Sequence, residues 1–270
     1  MPYVRNGDAE IFYEDVGAGP LVIAAHGMMS PGYWPISGLS GVLGLKYRMV
    51  SFDLRGHGRT KADEGFDVET MAGDIGALAD HLGEESFHLL GHATGGIVAL
   101  RYAMRQSTRL KSLVVMDCAS QTAPMPPEHF ARQAALIAAT PAQQMFASMK
   151  QSGAGFFFRS LERAQVPSSA DAMITRMFAG NDPALLGKFM MDFFADPDPK
   201  NELLGNIVCP TLCLSGELDE AFVEPVRQIA EAIPGACYQL LEGVGHMTAF
   251  EDPLSTIDAI DNFIALAEGV

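Results

Sequence analysis

A turn centred on Ala93 joins an apolar run to a helix-like stretch with a spacing that suits covalent catalysis. Gly91 and Gly95 lie two residues to either side of this centre. Small residues are needed there because the central residue of a nucleophile elbow sits on a strained turn, with its side chain raised above the sheet. The N-terminus of the following helix would favour negative charge that develops beside that side chain. Serine is the usual central residue, and this chain has alanine.

Two later segments carry an acid and a base in the chain order expected after such an elbow. Asp219 follows Gly216 at the end of an apolar run, and His246 follows Gly243 and Gly245 after the next apolar run. With a serine at the elbow, His246 would accept its proton. Asp219 would hold the imidazole in the required tautomer and stabilise its charged form. An isolated His or Asp in a turn is usually structural, so the order of the segments carries the prediction.

Together these segments resemble those of the α/β-hydrolase family, and the resemblance spans the chain except for residues 121–206. It implies that Ala93 is the nucleophile position, Asp219 the acid and His246 the base. The loop after the first buried run resembles the family's oxyanion-hole loop. By that resemblance, the backbone N–H groups of Met28 and Thr94 would bind the carbonyl oxygen of a substrate.

Asp117 is a rival acid, because some members of the family place the carboxylate at the end of the strand after the elbow helix. Asp219 is favoured because its whole loop matches. Glu217 and Glu220 are weaker alternatives on the same loop.

Five residues are predicted to contact substrate: His26, Gly27, His92 and Met247 in or beside these segments, and Phe157 in the stretch between them. The reaction implied by the resemblance needs no metal and no cofactor.

The segment Ser51–Thr60 resembles another loop of the family, D-x-R-G-x-G-x-S. We expect Asp53 and Arg55 to be structural there, holding the loop through charge pairing. His57 is expected to be a scaffold residue.

Alanine has no nucleophilic atom, so covalent acyl transfer through residue 93 is impossible. Either Ala93 is an engineered replacement that traps intact substrate, or the chain is a natural, catalytically silent binding protein. The complete acid, base and oxyanion segments favour the first interpretation. So does the strained turn, which glycine would relieve if no chemistry depended on it.

The residues beside Ala93 indicate which branch of the family, and therefore which type of nucleophile, the chain resembles most. Members of the family that use Asp at the elbow include haloalkane dehalogenases and epoxide hydrolases, but His92 and Thr94 resemble the serine hydrolases more closely. That branch includes carboxylesterases, lactonases, carbon–carbon bond hydrolases and perhydrolases. An acidic protein with an apolar cap favours a hydrophobic ester or lactone.

The alternation of elements predicts an α/β fold. A hairpin around Asn6-Gly7 is followed by short apolar runs that indicate parallel strands buried on both faces. The strands are predicted at Leu21–Ala25, Arg48–Phe52, Phe87–Leu90, Leu113–Met116, Thr211–Ser215 and Tyr238–Leu241. Helices are predicted at Val68–Leu82, Gly95–Arg105, Val223–Ile233 and Pro253–Ala267. The α/β-hydrolase resemblance adds a mostly parallel twisted sheet flanked by helices.

The alternation is interrupted over residues 121–206, which have helix-like pieces and no clear strand. Nine of the 16 Phe residues lie in this stretch. It is bounded by prolines, namely Pro124, Pro126, Pro127, Pro197, Pro199 and Pro210. We predict a helical cap inserted into a core domain of residues 1–120 and 207–270, with an apolar pocket beneath it.

Composition restricts the partners. The formal charge of −15 over 270 residues disfavours nucleic acid and anionic lipid. No apolar run has the length of a membrane span or a signal peptide. The four cysteines are expected to be buried free thiols in a reducing compartment. These features predict a cytoplasmic protein with a small-molecule substrate, as a monomer or a homodimer.

Overall fold

The computed structural model describes residues 2–121, 126–164, 166–195 and 200–269. Within these ranges eight strands form one sheet, in the order β1-β2-β4-β3-β5-β6-β7-β8. The strands are β1 Tyr3–Asn6, β2 Ala9–Gly17, β3 Leu21–Ala25, β4 Arg48–Phe52, β5 Phe87–His92, β6 Leu110–Met116, β7 Thr211–Gly216 and β8 Cys237–Leu241. The hairpin β1–β2 joins the sheet antiparallel to β4, and all pairs from β4 to β8 are parallel.

Helices cover both faces of this sheet, and the predicted α/β fold is confirmed. The helices within the described residues are α1 Tyr33–Ile36, α2 Leu39–Leu43, α3 Val68–His81, α4 Thr94–Gln106, α5 Pro127–Ala139, α6 Met145–Gln151, α7 Pro167–Phe178, α8 Pro183–Phe193, α9 Val223–Ala232, α10 Thr248–Glu251 and α11 Pro253–Glu268. Strand β3 alternates between two cores: Ile23 packs with α3, α4 and α9, whereas Val22 and Ala24 pack with α2 and α11. This burial on both faces explains the uninterrupted apolar runs.

Strand β8 departs from the expected burial. It pairs with β7 alone, so it forms one edge of the sheet. Cys237, Gln239 and Leu240 are exposed there, and the expectation of four buried thiols is therefore wrong for Cys237. Because an edge strand has a neighbour on one side only, an apolar run does not guarantee that both of its faces are covered. The other three cysteines are buried and free.

The described part of residues 121–206 is helical wherever it is regular. Besides α5 to α8, it contains the 3-10 segments Ala142–Gln144, Gly153–Arg163 and Asn201–Asn206. Pro124, Pro197 and Pro199, which we expected to bound the cap, lie outside the described residues. The division into a core domain and a cap domain stays a prediction.

Among the described residues, no helix combines the length and the apolar character that crossing a membrane requires.

Candidate active site

The turn at Ala93 has the backbone of a strained elbow. Between β5 and α4 its φ is 50° and its ψ is −117°, a conformation that L-residues rarely adopt. The Ala93 N–H donates to the carbonyl of Met116 at 2.9 Å, which ties the elbow to β6. A side chain at Gly91 or Gly95 would collide with backbone atoms of the turn or of the neighbouring β3 loop. The two glycines therefore allow the strand, the helix and that loop to approach closely.

His246 and Asp219 meet beside this elbow. Asp219 follows β7, His246 follows β8, and His246 Nδ1–H donates to Asp219 Oδ2 at 2.7 Å. Burial disfavours the charged imidazole. The charge and hydrogen bond of Asp219, with smaller contributions from Asp117 and Glu251, outweigh burial and raise the pKa of His246 above its ordinary 6.5. Because Nδ1 carries the proton in this bond, Nε2 is left free to accept a proton.

The rival carboxyls have other partners. Asp117, with a φ of 47°, ends β6 and accepts the N–H of Gly216 at 2.9 Å. Complete burial and the neighbouring charge of Asp219 raise the pKa of Asp117 well above its usual range, which favours its neutral form. Glu217 accepts the N–H of Gly243 at 2.9 Å, and Glu220 is exposed. The geometry thus pairs His246 with Asp219.

The loop after β3 lies against the elbow. A Cβ added to Gly27 would lie 3.0 Å from the Cβ of Ala93, so the glycine allows this close approach. Within the described residues, the N–H groups of Met28 and Thr94 have no hydrogen-bond acceptor. Both belong to segments that flank Ala93. They are therefore available to a substrate oxygen, as the oxyanion-hole prediction requires.

His26 is buried and uses both ring nitrogens. Its Nε2 accepts the N–H of Leu54 at 3.0 Å, so Nδ1 carries the proton and donates to the carbonyl of Gly27 at 2.6 Å. Burial, together with neighbouring His57, holds the pKa of His26 well below 6.5. His26 thus joins two loops in its neutral form, and its predicted contact with substrate stays a prediction.

His92 holds the loop of the candidate base. Its Nε2–H donates to the backbone carbonyl of His246 at 2.9 Å, and its ring stacks on Tyr33 with centroids 4.3 Å apart. Burial lowers the pKa of His92 to about 3, so the ring is neutral. Contact of His92 with substrate stays a prediction.

Two phenylalanines cover the imidazole of His246. The ring centroids lie 4.7 Å away for Phe157, which is half-buried, and 5.2 Å away for Phe222. The two Phe rings stack on each other with centroids 5.9 Å apart. Met247 is buried in the core of the α2 and α11 face. The candidate base thus has aromatic contacts as well as its carboxylate partner, and an apolar pocket for a hydrophobic substrate stays a prediction.

The loop Ser51–Thr60 is held differently from the prediction. Arg55 pairs with Asp74, at 2.8 Å and 3.0 Å, and with Asp8 at 3.0 Å, not with Asp53. Asp53 accepts the backbone N–H of Arg59 at 2.9 Å, and burial raises its pKa to about 6. The expectation that charge pairing holds the loop is therefore correct for Arg55 and wrong for Asp53.

Sequence reasoning missed three residues at this site: Tyr33, Phe222 and Glu251. The hydroxyl of Tyr33 accepts the N–H of Ala249 at 3.2 Å, beside the His246 loop. The two carboxylate oxygens of Glu251 bind the same loop. The available signal was an acidic residue within the otherwise uncharged run from Met247 to Phe250, since a carboxylate in such surroundings needs a partner.

The model of the alpha/beta hydrolase family matches residues 21–259, which is most of the chain. With the sheet and elbow described above, this shows that the chain belongs to that family. The solved structure of a thermophilic esterase from Thermogutta terrifontis is similar over 96% of this chain and 94% of its own, with 25% identity and a TM-score of 0.82.

Two curated relatives match part of the chain. RutD of Azorhizobium caulinodans, which is described provisionally as a carbamate hydrolase, is 33% identical over 119 residues, covering 43% of this chain and 44% of the relative. A non-heme haloperoxidase of Rhodococcus erythropolis is 36% identical over 113 residues, covering 39% of each chain. In both comparisons the chain spans less than half of the relative's length.

Proposed function

We propose that this chain is a hydrolase of hydrophobic carboxylic esters or lactones in a form that lacks its nucleophile. The observation that carries the proposal is the backbone of Ala93, which keeps a φ of 50° and a ψ of −117° beside a hydrogen-bonded His246–Asp219 pair. A strained turn costs roughly 1–3 kcal/mol and persists where surrounding structure enforces it, commonly at functional sites. Only the attacking oxygen is missing from this arrangement.

With a serine at position 93, the residues would act in sequence. His246 Nε2 would take the hydroxyl proton as the serine oxygen attacks the carbonyl carbon, and Asp219 would stabilise the resulting imidazolium. The N–H groups of Met28 and Thr94 would bind the oxyanion of the tetrahedral intermediate. His246 would then give its proton to the departing alcohol oxygen. A water activated by the same histidine would release the acid and restore the serine.

Two features support an ester or lactone as the substrate. Phe157 and Phe222 make the surroundings of His246 apolar, which suits an uncharged acyl group. The similar esterase of known structure covers nearly the whole chain at 25% identity.

We infer that Ala93 replaces a serine. The change from Ser to Ala removes one hydroxyl and leaves the Cβ, the backbone and the acid–base pair intact. A silent binding protein has no need of a strained elbow, and glycine would adopt these angles at lower cost.

The decisive experiment is hydrolysis of short-chain and medium-chain aryl esters and several lactones by the Ala93 protein and the Ala93→Ser variant. We expect a rise in turnover on the order of a million-fold, the loss measured when a serine protease loses its nucleophile. Ala93→Ser combined with His246→Ala is the control, and its turnover should fall back to background. The Ala93 protein should bind the same esters in a calorimeter without turnover, since binding depends on the pocket and the oxyanion hole.

Background turnover by a folded Ala93→Ser protein across the whole panel would contradict the hydrolase proposal. In that case, ester binding by the Ala93 protein would favour the binding-protein interpretation.

A further inference from the structure

The loop that carries His246 is held by a buried carboxylate that the proposed mechanism does not use. Glu251 ends the short helix α10 and is 4% exposed. Its Oε2 accepts the N–H of Gly245 at 2.7 Å, and its Oε1 accepts the N–H of Met247 at 3.1 Å. The two oxygens of one carboxylate thus accept the backbone N–H groups of the two residues that flank His246.

The peptide group between His246 and Met247 is also held from its carbonyl side. The carbonyl of His246 accepts the hydrogen bond from His92 Nε2 at 2.9 Å. Three consecutive residues, from Gly245 to Met247, therefore each have a backbone polar group bound to a buried side chain. Ser160, in the 3-10 segment Gly153–Arg163, lies so close to Gly245 that a side chain at position 245 would collide with it.

We propose that Glu251 is a positioning residue, which binds the N–H groups of Gly245 and Met247 and so holds the imidazole of His246 in line with Asp219. The role of His246 as a base rests on the proposed function, whereas the contacts of Glu251 are observed in the structure. Hydrogen bonds to a charged acceptor are about twice as strong as neutral ones. The position of the imidazole matters because displacing a catalytic group by about 1 Å costs roughly a hundredfold in rate.

The pair of contacts requires a carboxylate. Glutamine has the same shape, but one of its two terminal atoms is an NH₂ group that would face a backbone N–H donor. Glu251→Gln therefore loses one of the two hydrogen bonds and the negative charge while keeping the side-chain volume. The lost charge matters because Glu251 contributes to the raised pKa of His246, after Asp219 and Asp117 and against the effect of burial.

The first test uses the Ala93 protein and needs no activity. We expect Glu251→Gln to make His246 titrate at lower pH in an NMR titration, and to speed exchange of the Nδ1 proton that binds Asp219. Glu217→Gln is the matched control, because Glu217 accepts the N–H of Gly243 earlier on the same loop but does not flank His246. An unchanged titration and proton exchange of His246 in a folded Glu251→Gln protein would overturn the proposal.

The second test uses the Ala93→Ser background. Glu251→Gln should lower kcat by about tenfold or more, with KM changed by less than about twofold, because the base and not the pocket is displaced. Glu217→Gln should keep both values. If Ala93→Ser hydrolyses none of the esters, the proposed function fails, while the NMR test still decides the role of Glu251.

A third measurement needs no variant and covers the case in which Glu251→Gln does not fold. Amide hydrogen exchange in the Ala93 protein should protect Gly245 and Met247 more than Gly243, whose acceptor is the exposed Glu217. Exchange of Gly245 and Met247 as fast as that of Gly243 would show that Glu251 does not hold the loop, and the proposal would be wrong.

Discussion

At each end of β5 a histidine is hydrogen-bonded to a carboxylate. At one end a serine hydroxyl lies beside the histidine, and at the other end Ala93 occupies the position where a serine is expected. At the carboxyl end are Ala93, His246 and Asp219. At the amino end His88 Nδ1 lies 2.8 Å from the hydroxyl of Ser112, and His88 Nε2 lies 3.0 Å from Glu268 Oε1. By residue type, the second group is a complete Ser-His-acid set and the first is not.

The surroundings of the two groups reverse that ranking. Ser112 lies within strand β6 and is completely buried, so no substrate can reach its hydroxyl. Residue 93 instead stands on a strained turn at the N-terminus of α4, next to the N–H groups of Met28 and Thr94, which have no acceptor among the described residues. Backbone geometry and access, more than residue type, determine which of the two can do chemistry.

The two histidines also differ electrostatically. The Asp219 side chain is 1% exposed, whereas that of Glu268 is 24% exposed and also binds Lys111 at 2.9 Å. Burial lowers the pKa of His88 below 6.5 and outweighs the charge of Glu268, with Lys111 lowering it further. At His246 the buried carboxylate outweighs burial, and the pKa is raised. Only His246 combines a raised pKa with a free Nε2, which suits a base.

The largest effect that separates the two groups concerns their acids. In the Ala93→Ser background, Asp219→Asn should lower kcat/KM by about four orders of magnitude, the loss seen when a serine protease loses this carboxylate. The amide no longer holds His246 in the required tautomer. Asp117→Asn should cost less than about tenfold, since Asn keeps an acceptor for Gly216. Glu268→Gln should leave the rate unchanged. A crippling Asp117→Asn with a mild Asp219→Asn would reverse the assignment of the acid.

The next largest effect is the loss of stability that we expect when Ser112 is replaced. Because His88 is neutral and its Nε2–H donates to Glu268, Ser112 donates its proton to Nδ1. Ser112→Ala leaves this buried nitrogen without a partner and should lower the free energy of unfolding by about 1–3 kcal/mol. Urea denaturation measures this loss. An organophosphorus serine reagent should label Ala93→Ser at position 93 and leave Ser112 unlabelled. Labelling of Ser112 in the folded Ala93 protein would contradict the comparison.

A smaller effect distinguishes the two histidines by pH. NMR titration should find the pKa of His246 above 6.5 and that of His88 below it. The depressed pKa of His88 means that the unfolded chain binds the proton more tightly. The contribution of His88 to the free energy of unfolding is therefore fully present above about pH 6.5. It is lost as the pH falls towards the pKa of His88 in the folded protein. For His246 the sign is opposite: its contribution is present below about pH 6.5 and lost as pH rises through its raised pKa. Equal pKa values for the two histidines would refute this contrast.

Local pattern predicted most of the scaffold. The bounds of β3 and β4 agree with prediction, and β5 to β8 begin or end within three residues of it, because buried parallel strands are uninterrupted apolar runs. The strained turn at Ala93 and the pairing of Asp219 with His246 could also be predicted, because each residue belongs to a short segment whose glycines restrict its backbone. Contacts between distant segments could not. Nothing local indicates that Arg55 pairs with Asp74, that Phe222 covers His246 or that β8 is an edge.

The smallest predicted effect tests the strain that makes position 93 unlike position 112. Ala93 holds a φ of 50° and a ψ of −117°, which glycine adopts without a Cβ clash. Glycine also makes the unfolded chain more flexible, which costs about 0.4–1 kcal/mol, so relief of strain in the lower half of the roughly 1–3 kcal/mol range leaves a small net gain. We expect Ala93→Gly to raise the free energy of unfolding by up to about 1 kcal/mol in urea denaturation.

Ala103→Gly is the matched control for that prediction, because Ala103 is buried in the interior of the helix that the elbow begins. It should destabilise the protein by about 1 kcal/mol, since glycine there adds flexibility without relieving strain. Equal destabilisation by both variants would mean that the elbow is unstrained. A gain confined to Ala93→Gly would mean that alanine at position 93 is not the residue favoured by stability. If the elbow had no catalytic role, glycine would then be the more stable choice at position 93. The presence of a Cβ there would therefore favour the interpretation that Ala93 replaces a serine.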